Sequence, residues 1–398
     1  MSLKSYLQQL KLNLNGTLKF VTGNQSADMD SCISAIIYSY YNNLHTNQYV
    51  APLINIPKSD FKLRRDIIKL LLFHSIDQDL LYFIDDFKVL TKESSKVDLI
   101  LVDHCNIQGD VLTEYFSTNR LNVVSIIDHH ADENVFLDAN PRIIKPCGSC
   151  TSLIFNYWNS ILKEKALEKD VILLLLGPLL IDTSNFTQKV ESEDTLAYNT
   201  YQTVFSNDST LFVRDVDGIA PSDSSSALEN GSNGFYDFYK QLKDAKKDLT
   251  GFSLVDILHK DYKQFKFDNI SVGFSSIGKS IAWIVKNYHK DLESSFTEVL
   301  KTNNIDIIII TSSYTKKEND EYTREFAYYY QNKDVEVFNK LHDLAKDKLQ
   351  LNSNIYKLDK IEKKDVQIKG EFKIYNQDIL SASRKQIVPI VKDIIESN

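Results

Sequence analysis

The sequence predicts an α/β protein. A first domain carries a mainly parallel, doubly wound sheet, and a smaller second domain is mixed α/β. Three observations carry this reading. Short aliphatic runs recur through the first half with helix-like segments between them. The runs are continuous rather than alternating, as strands covered on both faces require. Then the composition shifts: "RDVDGIAPSDSSSALENGSNG" (214–234) is rich in Ser, Asp and Gly and lacks a periodic apolar face, after which a mixed pattern resumes. The expected division is a domain over 1–205, a flexible linker over 206–234, and a second domain over 235–398.

In chain order, the first-half strands are expected at "LKFVTG" (18–23), "YVAPLINI" (49–56), "LLYFIDD" (80–86), "VDLILVD" (97–103) and "NVVSIIDHH" (122–130). Helices are expected at 31–43, 63–73, 150–164 and 169–181. The last of these, "VILLLLGPLLI" (171–181), is too short to span a bilayer and contains Gly177-Pro178, so it reads as a core helix. In the second half, helices are expected near 235–248, 253–265, 281–301 and 335–349. Strands are expected at 269–277, 305–313, 325–330 and 372–376.

With 398 residues, 43% hydrophobic and 25% charged, the chain has material for two sizeable cores. A formal charge of -8 does not advertise nucleic-acid binding, although a local basic pocket or a metal can still hold a small anion. The four cysteines form no disulfide framework; Cys147-Gly-Ser-Cys150 has no second pair with which to complete a zinc site, and reads as a tight turn. The N-terminal segment lacks a secretory apolar core. The first 27 residues contain Lys and no acids, as a mitochondrial presequence does, but they lack Arg and the first strand starts near Leu18, so a cytoplasmic protein is expected, with a mitochondrial location as the alternative; a monomer is expected. No membrane or nucleic-acid partner is expected.

In open parallel sheets, ligands bind beyond the carboxyl ends of the strands. Here the first strand is followed by Asn24, Asp28 and Asp30. The "VDLILVD" strand ends in Asp103, and the next ends in Asp128-His129-His130. The apolar helix ends in Asp182. One such Asp is most simply a helix cap. Four elements ending this way gather like charges that repel unless a cation sits among them. Oxygen donors with one imidazole and no thiolate suit Mg²⁺ or Mn²⁺. Asp128 is expected to orient His129.

Asp-x-Asp after strand one, a lone strand-end Asp, Asp-His-His and a fourth Asp, spanning roughly 18–190, resemble the DHH phosphoesterase superfamily in order and spacing. "GNQSADMDS" places Asn24 where many relatives, including family II pyrophosphatases, have a histidine ligand; the Asn form resembles the exopolyphosphatase and Prune branch. His130 stands where Prune-like members tend to have Arg. "IPKSDFKLRRD" (56–66), "PRIIKPCGSCTSLIFNYW" (141–158), "DYKQF" (261–265), "GFSSI" (273–277) and "SRKQIVP" (383–389) are similar to fungal exopolyphosphatases.

The resemblance implies hydrolysis of terminal phosphate from inorganic polyphosphate by metal-activated water. It implies two divalent metals, Mg²⁺ or else Mn²⁺ or Co²⁺, held by Asp28, Asp30, Asp103, His129 and Asp182, with Asp103 bridging. His130, Asp128 and Asn24 are the expected catalytic residues. His130, Lys263, Arg384 and Lys385 are the expected substrate contacts, the last three on a second domain that clamps the chain. Alternatives are a Prune-like phosphodiesterase or short-chain polyphosphatase, a pyrophosphatase, and a non-catalytic polyphosphate sensor. "GFSSIGKS" (273–280) fits the phosphate-loop pattern letter for letter, but Phe274 and Ile277 make it a strand rather than a loop.

Overall fold

The computed structural model describes residues 1–14, 19–205, 232–316, 318–332, 336–353 and 369–397. The expected linker lies outside the described residues except for its last three positions, which open a helix. The chain divides into two units, Met1–Asp248 and Leu249–Asn398.

The first unit opens with α1 (Leu3–Asn13), whose Leu3, Tyr6, Leu7 and Leu10 are buried. Its sheet contains β1 (Lys19–Thr22), β2 (Ala51–Ile54), β3 (Tyr82–Phe83), β4 (Val97–Val102), β5 (Leu121–Asp128) and β6 (Arg142–Ile144). The strand order is β3-β2-β1-β4-β5-β6 and every pairing is parallel. The order reverses between β1 and β4, which is where such sheets open a crevice for ligands. The apolar runs behave as expected: β2 is wholly buried, β1 and β4 each have one half-buried residue, and β5 is buried from Ser125 to Asp128.

The helices are α2 (Met29–Thr46), α3 (Arg65–Phe73), α4 (Ile84–Leu90), α5 (Asp110–Ser117), α6 (Cys150–Leu162), α7 (Lys169–Asp182), α8 (Ser192–Phe205) and α9 (Ser232–Lys247). Every residue of α7 from Val171 to Leu180 is buried, so the apolar run is a core helix. A Cβ at Gly177 would lie 2.7 Å from Leu70 Cδ2 and 3.4 Å from Leu242 Cδ1. That missing side chain lets α3 and α9 close on α7, and Phe73 meets Phe238 at 5.7 Å between ring centroids. Packing therefore puts α9 in the first unit, whereas the sequence places 235–248 with the second domain.

Several first-unit elements differ from expectation, among them the helices α1, α5 and α8, which were not expected. In "LLYFIDD" only Tyr82 and Phe83 pair with β2; the Asp86 carboxylate accepts the Phe83 N–H at 2.9 Å and starts α4. The short strand β6 was not foreseen, since its three residues are all only half-buried.

The second unit contains α10 (Leu254–Lys260), β7 (Tyr262–Phe267), β8 (Ile270–Ile277), α11 (Ile281–Tyr288), α12 (Leu292–Thr302), β9 (Ile307–Thr315), β10 (Tyr322–Tyr330), α13 (Glu336–Leu349), β11 (Leu351–Ser353), β12 (Glu371–Gln377) and α14 (Arg384–Glu396). Its sheet runs β11-β12-β10-β9-β8-β7 and is mixed: β8 and β9 are parallel, the other neighbours antiparallel. The expected helix over 253–265 ends at Lys260, because residues 262–267 form β7 against β8. The expected helix over 281–301 is two helices, broken at 289–291. "GFSSI" is part of β8, so the first five residues of the phosphate-loop pattern are strand, and its last, Ser280, caps α11.

Candidate metal centre

The chain leaves β1 through a turn with no room to spare. A Cβ at Gly23 would lie 2.4 Å from Ser31 Cβ, so glycine lets the turn press on the start of α2. Ala27 takes a left-handed conformation (φ 43°). The buried Arg64 guanidinium holds that shape: Nη2 donates to the Ser26 carbonyl at 2.6 Å and Nε to the Ala27 carbonyl at 3.0 Å. Asp28 then caps α2, its Oδ1 accepting the Ser31 N–H at 3.0 Å. Asp30 follows one residue into the helix and is buried.

Asp103 comes directly after β4, and its N–H extends the ladder by donating to Ile127 O at 3.0 Å. Its backbone then enters the left-handed region (φ 59°), a conformation that costs free energy in any residue with a Cβ. One carboxylate oxygen, Oδ2, accepts from Asn24 Nδ2 at 2.8 Å and Ser31 Oγ at 2.5 Å. The other, Oδ1, lies 3.0 Å from His129 Nε2 and 3.8 Å from His130 Nδ1.

β5 delivers the other half of the centre. His129 Nδ1 donates to the Cys147 carbonyl at 2.9 Å. A carbonyl only accepts, so Nδ1 carries the proton. In the neutral ring, Nε2 then presents a lone pair to the Asp103 carboxylate 3.0 Å away. Two lone pairs at that distance repel unless a proton or a cation lies between them. Asp128, fully buried, was expected to orient His129, but the ring it meets is that of His130, whose Nδ1 lies 2.8 Å from Asp128 Oδ1; only the backbone N–H of His129 reaches it, at 2.7 Å.

The charges are out of balance. Burial, then the nearby Asp103 charge, pushes the Asp30 carboxyl up to about 7. Burial, then Asp28, pushes Asp103 up to about 7. Asp182, at the end of α7, is raised well above the usual carboxylate range by burial and then by Asp30. At His129 burial works against the charged ring, but the Asp103 hydrogen bond, the Cys147 side chain and Asp30 outweigh it and raise its pKa. Burial would also raise Asp128, yet the His130 hydrogen bond and charge hold it below the ordinary carboxylate value.

A site short of positive charge, with oxygen and imidazole donors converging, fits a divalent cation. Among the described residues Asp103, His129 and His130 offer donor atoms within 4.8 Å of one another. Asp30 Oδ2 lies 3.8 Å from His129 Nε2, and Asp28 and Asp182 act on the same cluster electrostatically.

Asn24 differs from expectation in one respect. Its amide oxygen accepts the Ser26 N–H at 2.8 Å, and it is the nitrogen that faces Asp103. The residue supplies a hydrogen-bond donor at the centre, not an oxygen ligand. Asp103 Oδ2 is filled by Asn24 and Ser31, which leaves Oδ1 as the open oxygen of the carboxylate expected to bridge.

The expected phosphate contacts lie in the second unit. Lys263 is half-buried on β7 and Lys385 is exposed in the first turn of α14. Ser383 caps that helix as expected, and its N–H donates to Gln386 Oε1 at 2.9 Å. Arg384 is already engaged: Nη2 donates to Asp261 Oδ1 at 2.7 Å and Nη1 to the Asp261 carbonyl at 2.8 Å.

Comparison with known proteins fits this arrangement. The profile described as "DHH family, N-terminal domain" matches residues 19–178, and the "DHHA2 domain" profile matches residues 240–394. A candidate exopolyphosphatase of Schizosaccharomyces pombe is 33% identical over 393 residues, covering 96% of this chain and 91% of that protein. The chain belongs to the DHH family.

Other relatives in the DHH family are more distant. Human exopolyphosphatase PRUNE1 is 24% identical over 289 residues, 69% of this chain and 56% of that protein. The manganese-dependent inorganic pyrophosphatase of Methanocaldococcus jannaschii is 23% identical over 315 residues, 76% of this chain and 85% of that protein. A crystal structure of a family II inorganic pyrophosphatase candidate from Methanococcus jannaschii shares the fold, with a TM-score of 0.55 at 20% identity, covering 95% of this chain and 99% of that one.

Within this DHH centre the sequence reading passed over Ser31, Arg64 and Ser149. Ser31 binds Asp103, Arg64 braces the loop carrying the first acids, and Ser149 Oγ donates to Asp30 Oδ1 at 2.7 Å. None ends a strand with a charge, so the signal that found the ligands could not find them.

Proposed function

We propose that this protein is a divalent-metal-dependent phosphoanhydride hydrolase that removes terminal phosphate from inorganic polyphosphate. The observation that carries the reading is the His129 Nε2–Asp103 Oδ1 approach of 3.0 Å within a crowd of buried carboxylates. The relatives named exopolyphosphatase and inorganic pyrophosphatase support the reaction class.

Asp30, Asp103, His129 and Asp182 would hold the cation, with Asp28 beside them. When bound, it supplies charge neutralisation for the phosphoryl oxygens and Lewis-acid activation of water. The chain's own residues do the rest. Asp128, kept ionised, fixes the proton on His130 Nδ1 and so aims the ring; His130 protonates the leaving oxygen or steadies the transferred group. Lys263, Arg384 and Lys385 bind phosphates remote from the reacting one, where the Arg fork offers directed donors and the Lys side chains point charges.

Phosphate release from long-chain polyphosphate, pyrophosphate and a cyclic nucleotide, each with Mg²⁺ and with Mn²⁺, tests the reading. Preferred turnover of polyphosphate is expected. Turnover of the cyclic nucleotide alone would make the protein a phosphodiesterase, and binding of polyphosphate without turnover would make it a sensor.

A further inference from the structure

The two cysteines of the Cys147-Gly-Ser-Cys150 stretch are free thiols, and the stretch touches the centre on two sides. Its Cys147 carbonyl receives His129 Nδ1–H at 2.9 Å. Its other end grips Asp30: Ser149 Oγ and the Cys150 N–H each donate to a carboxylate oxygen at 2.7 Å, and the Thr151 N–H at 3.0 Å. What fixes the stretch is a fully buried carboxylate from elsewhere in the chain, Asp194 in the first turn of α8.

Asp194 has all its acceptor positions used. Oδ2 accepts the Gly148 N–H at 2.6 Å and the Glu191 N–H at 2.9 Å. Oδ1 accepts Ser152 Oγ at 2.7 Å and the Ser149 N–H at 3.3 Å. Gly148 is pinned as well as bound: a Cβ there would lie 2.5 Å from Thr183 Cγ2 and 2.7 Å from the Lys189 carbonyl.

The decisive feature is one peptide unit. The N–H that Asp194 holds and the C=O that His129 binds belong to the same Cys147–Gly148 bond. A trans peptide is planar, with its N–H and C=O pointing opposite ways. Fixing the N–H on Asp194 therefore fixes the carbonyl toward His129. The negative carboxylate also polarises the peptide and strengthens its oxygen as an acceptor. Partners behind a ligating imidazole set its tautomer, orientation and basicity.

We propose that Asp194 is a positioning residue for the metal centre, acting through the Cys147–Gly148 peptide to hold His129 with its proton on Nδ1 and Nε2 toward Asp103. This rests on the metal reading above for its consequence, but the relay itself stands on the hydrogen bonds alone.

The test uses the full chain with Asp194→Asn, Asp194→Ala and, as a control, Ser152→Ala, which removes only the bond on the helix side. Two quantities are read: the ring ¹⁵N signals of His129 in metal-free protein, and Mn²⁺ affinity by electron paramagnetic resonance. In the wild type, His129 is expected to show one ring species with a protonated, hydrogen-bonded Nδ1. Asp194→Asn is expected to lose that single species and to weaken Mn²⁺ binding about tenfold or more. Ser152→Ala is expected to preserve both. Where Asp194→Ala does not fold, Asp194→Asn carries the comparison. A folded Asp194→Asn protein with the wild-type His129 signals and wild-type Mn²⁺ affinity overturns the proposal. If the wild type itself binds no Mn²⁺, the metal reading falls and the His129 signals decide the relay by themselves: their change supports it and their constancy overturns it.

Discussion

Asn24 donates its side-chain N–H to Asp103 Oδ2 across 2.8 Å. The contact joins the loop after β1 to the end of β4, the two neighbouring strands at which the sheet order reverses. It also sets what the centre offers a cation, because it spends one oxygen of Asp103 on a neutral donor.

Replacing that donor with a ligand should change metal selectivity. Asn24→His puts an imidazole nitrogen beside Asp103, and imidazole favours Mn²⁺ and Co²⁺ over Mg²⁺ relative to an amide. The variant is expected to turn over faster with Mn²⁺ or Co²⁺ than with Mg²⁺ and to gain activity on pyrophosphate. Steady-state rates with each metal check this. A profile identical to wild type would separate Asn24 from the metal.

The Asp128–His130 pair should matter to turnover and not to metal. Asp128→Asn leaves a neutral partner that no longer dictates which ring nitrogen is protonated. Loss of a positioned acid of this kind lowers kcat by about a hundredfold or more. Mn²⁺ affinity is expected to stay near wild type, because the ring that Asp128 meets is that of His130, outside the proposed ligand set of Asp30, Asp103, His129 and Asp182. Parallel losses of kcat and Mn²⁺ affinity would assign Asp128 to the ligand set instead.

The charge imbalance predicts a pH dependence. Without metal, Asp30 and Asp103 titrate at about 7, above their unfolded values. Carboxyls raised in this way stabilise the fold fully below the unfolded pKa of about 3.9, and that contribution is lost as pH rises through the folded value. His129 is raised as well, so it keeps its proton across the same window. Metal uptake must displace these protons. At pH 6 binding is expected to release protons to the buffer, and the gain in Tm on adding Mn²⁺ is expected to grow from pH 6 to pH 8. Calorimetry in buffers of different ionisation enthalpy and thermal melts read both. A metal-induced Tm gain that shrinks over this range contradicts the assignment.

Arg384 donates to Asp261 Oδ1 at 2.7 Å and to the Asp261 carbonyl at 2.8 Å, which leaves its fork oriented but not exhausted. A charge-assisted phosphate contact contributes roughly 1.5–3 kcal/mol, so Arg384→Ala should lower kcat/KM for polyphosphate about tenfold or more. Lys263→Ala should act in the same direction. Metal affinity is expected to hold in both, and added salt should weaken substrate binding more in wild type than in the variants. Loss of metal binding in Arg384→Ala, or no loss of either property, would refute a phosphate-binding role.

The sheet and its ligand crevice were legible because they depend on strong local signals. Continuous aliphatic runs marked β1, β2, β4 and β5, and the polar residues ending them marked the centre. The failures came where one local pattern serves two structures. "LLYFI" is apolar enough for a strand, and only the Asp86 bond to the Phe83 N–H shows that α4 begins there. Residues 253–265 read as one helix until the pairing of Tyr262 with Ser275 claims the second half for the sheet. The α9 boundary depended on Gly177, whose missing Cβ is visible only once Leu70 and Leu242 are seen against it. Asn24 was legible as part of the site but not in its orientation, because the amide turns to satisfy Ser26.

The central claim is that the acids converging at the strand ends hold a divalent cation that turnover needs. The most direct test is Asp103→Asn, with Mn²⁺ affinity, polyphosphate turnover and the thermal stability of the metal-free protein measured on the same preparation. The substitution removes a buried charge from a site with too many, so the metal-free variant should fold and be at least as stable as wild type at pH 8. Its Mn²⁺ binding and its phosphate release should both be lost. An Asp103→Asn protein that folds and releases phosphate near the wild-type rate at saturating Mg²⁺ or Mn²⁺ would contradict the account.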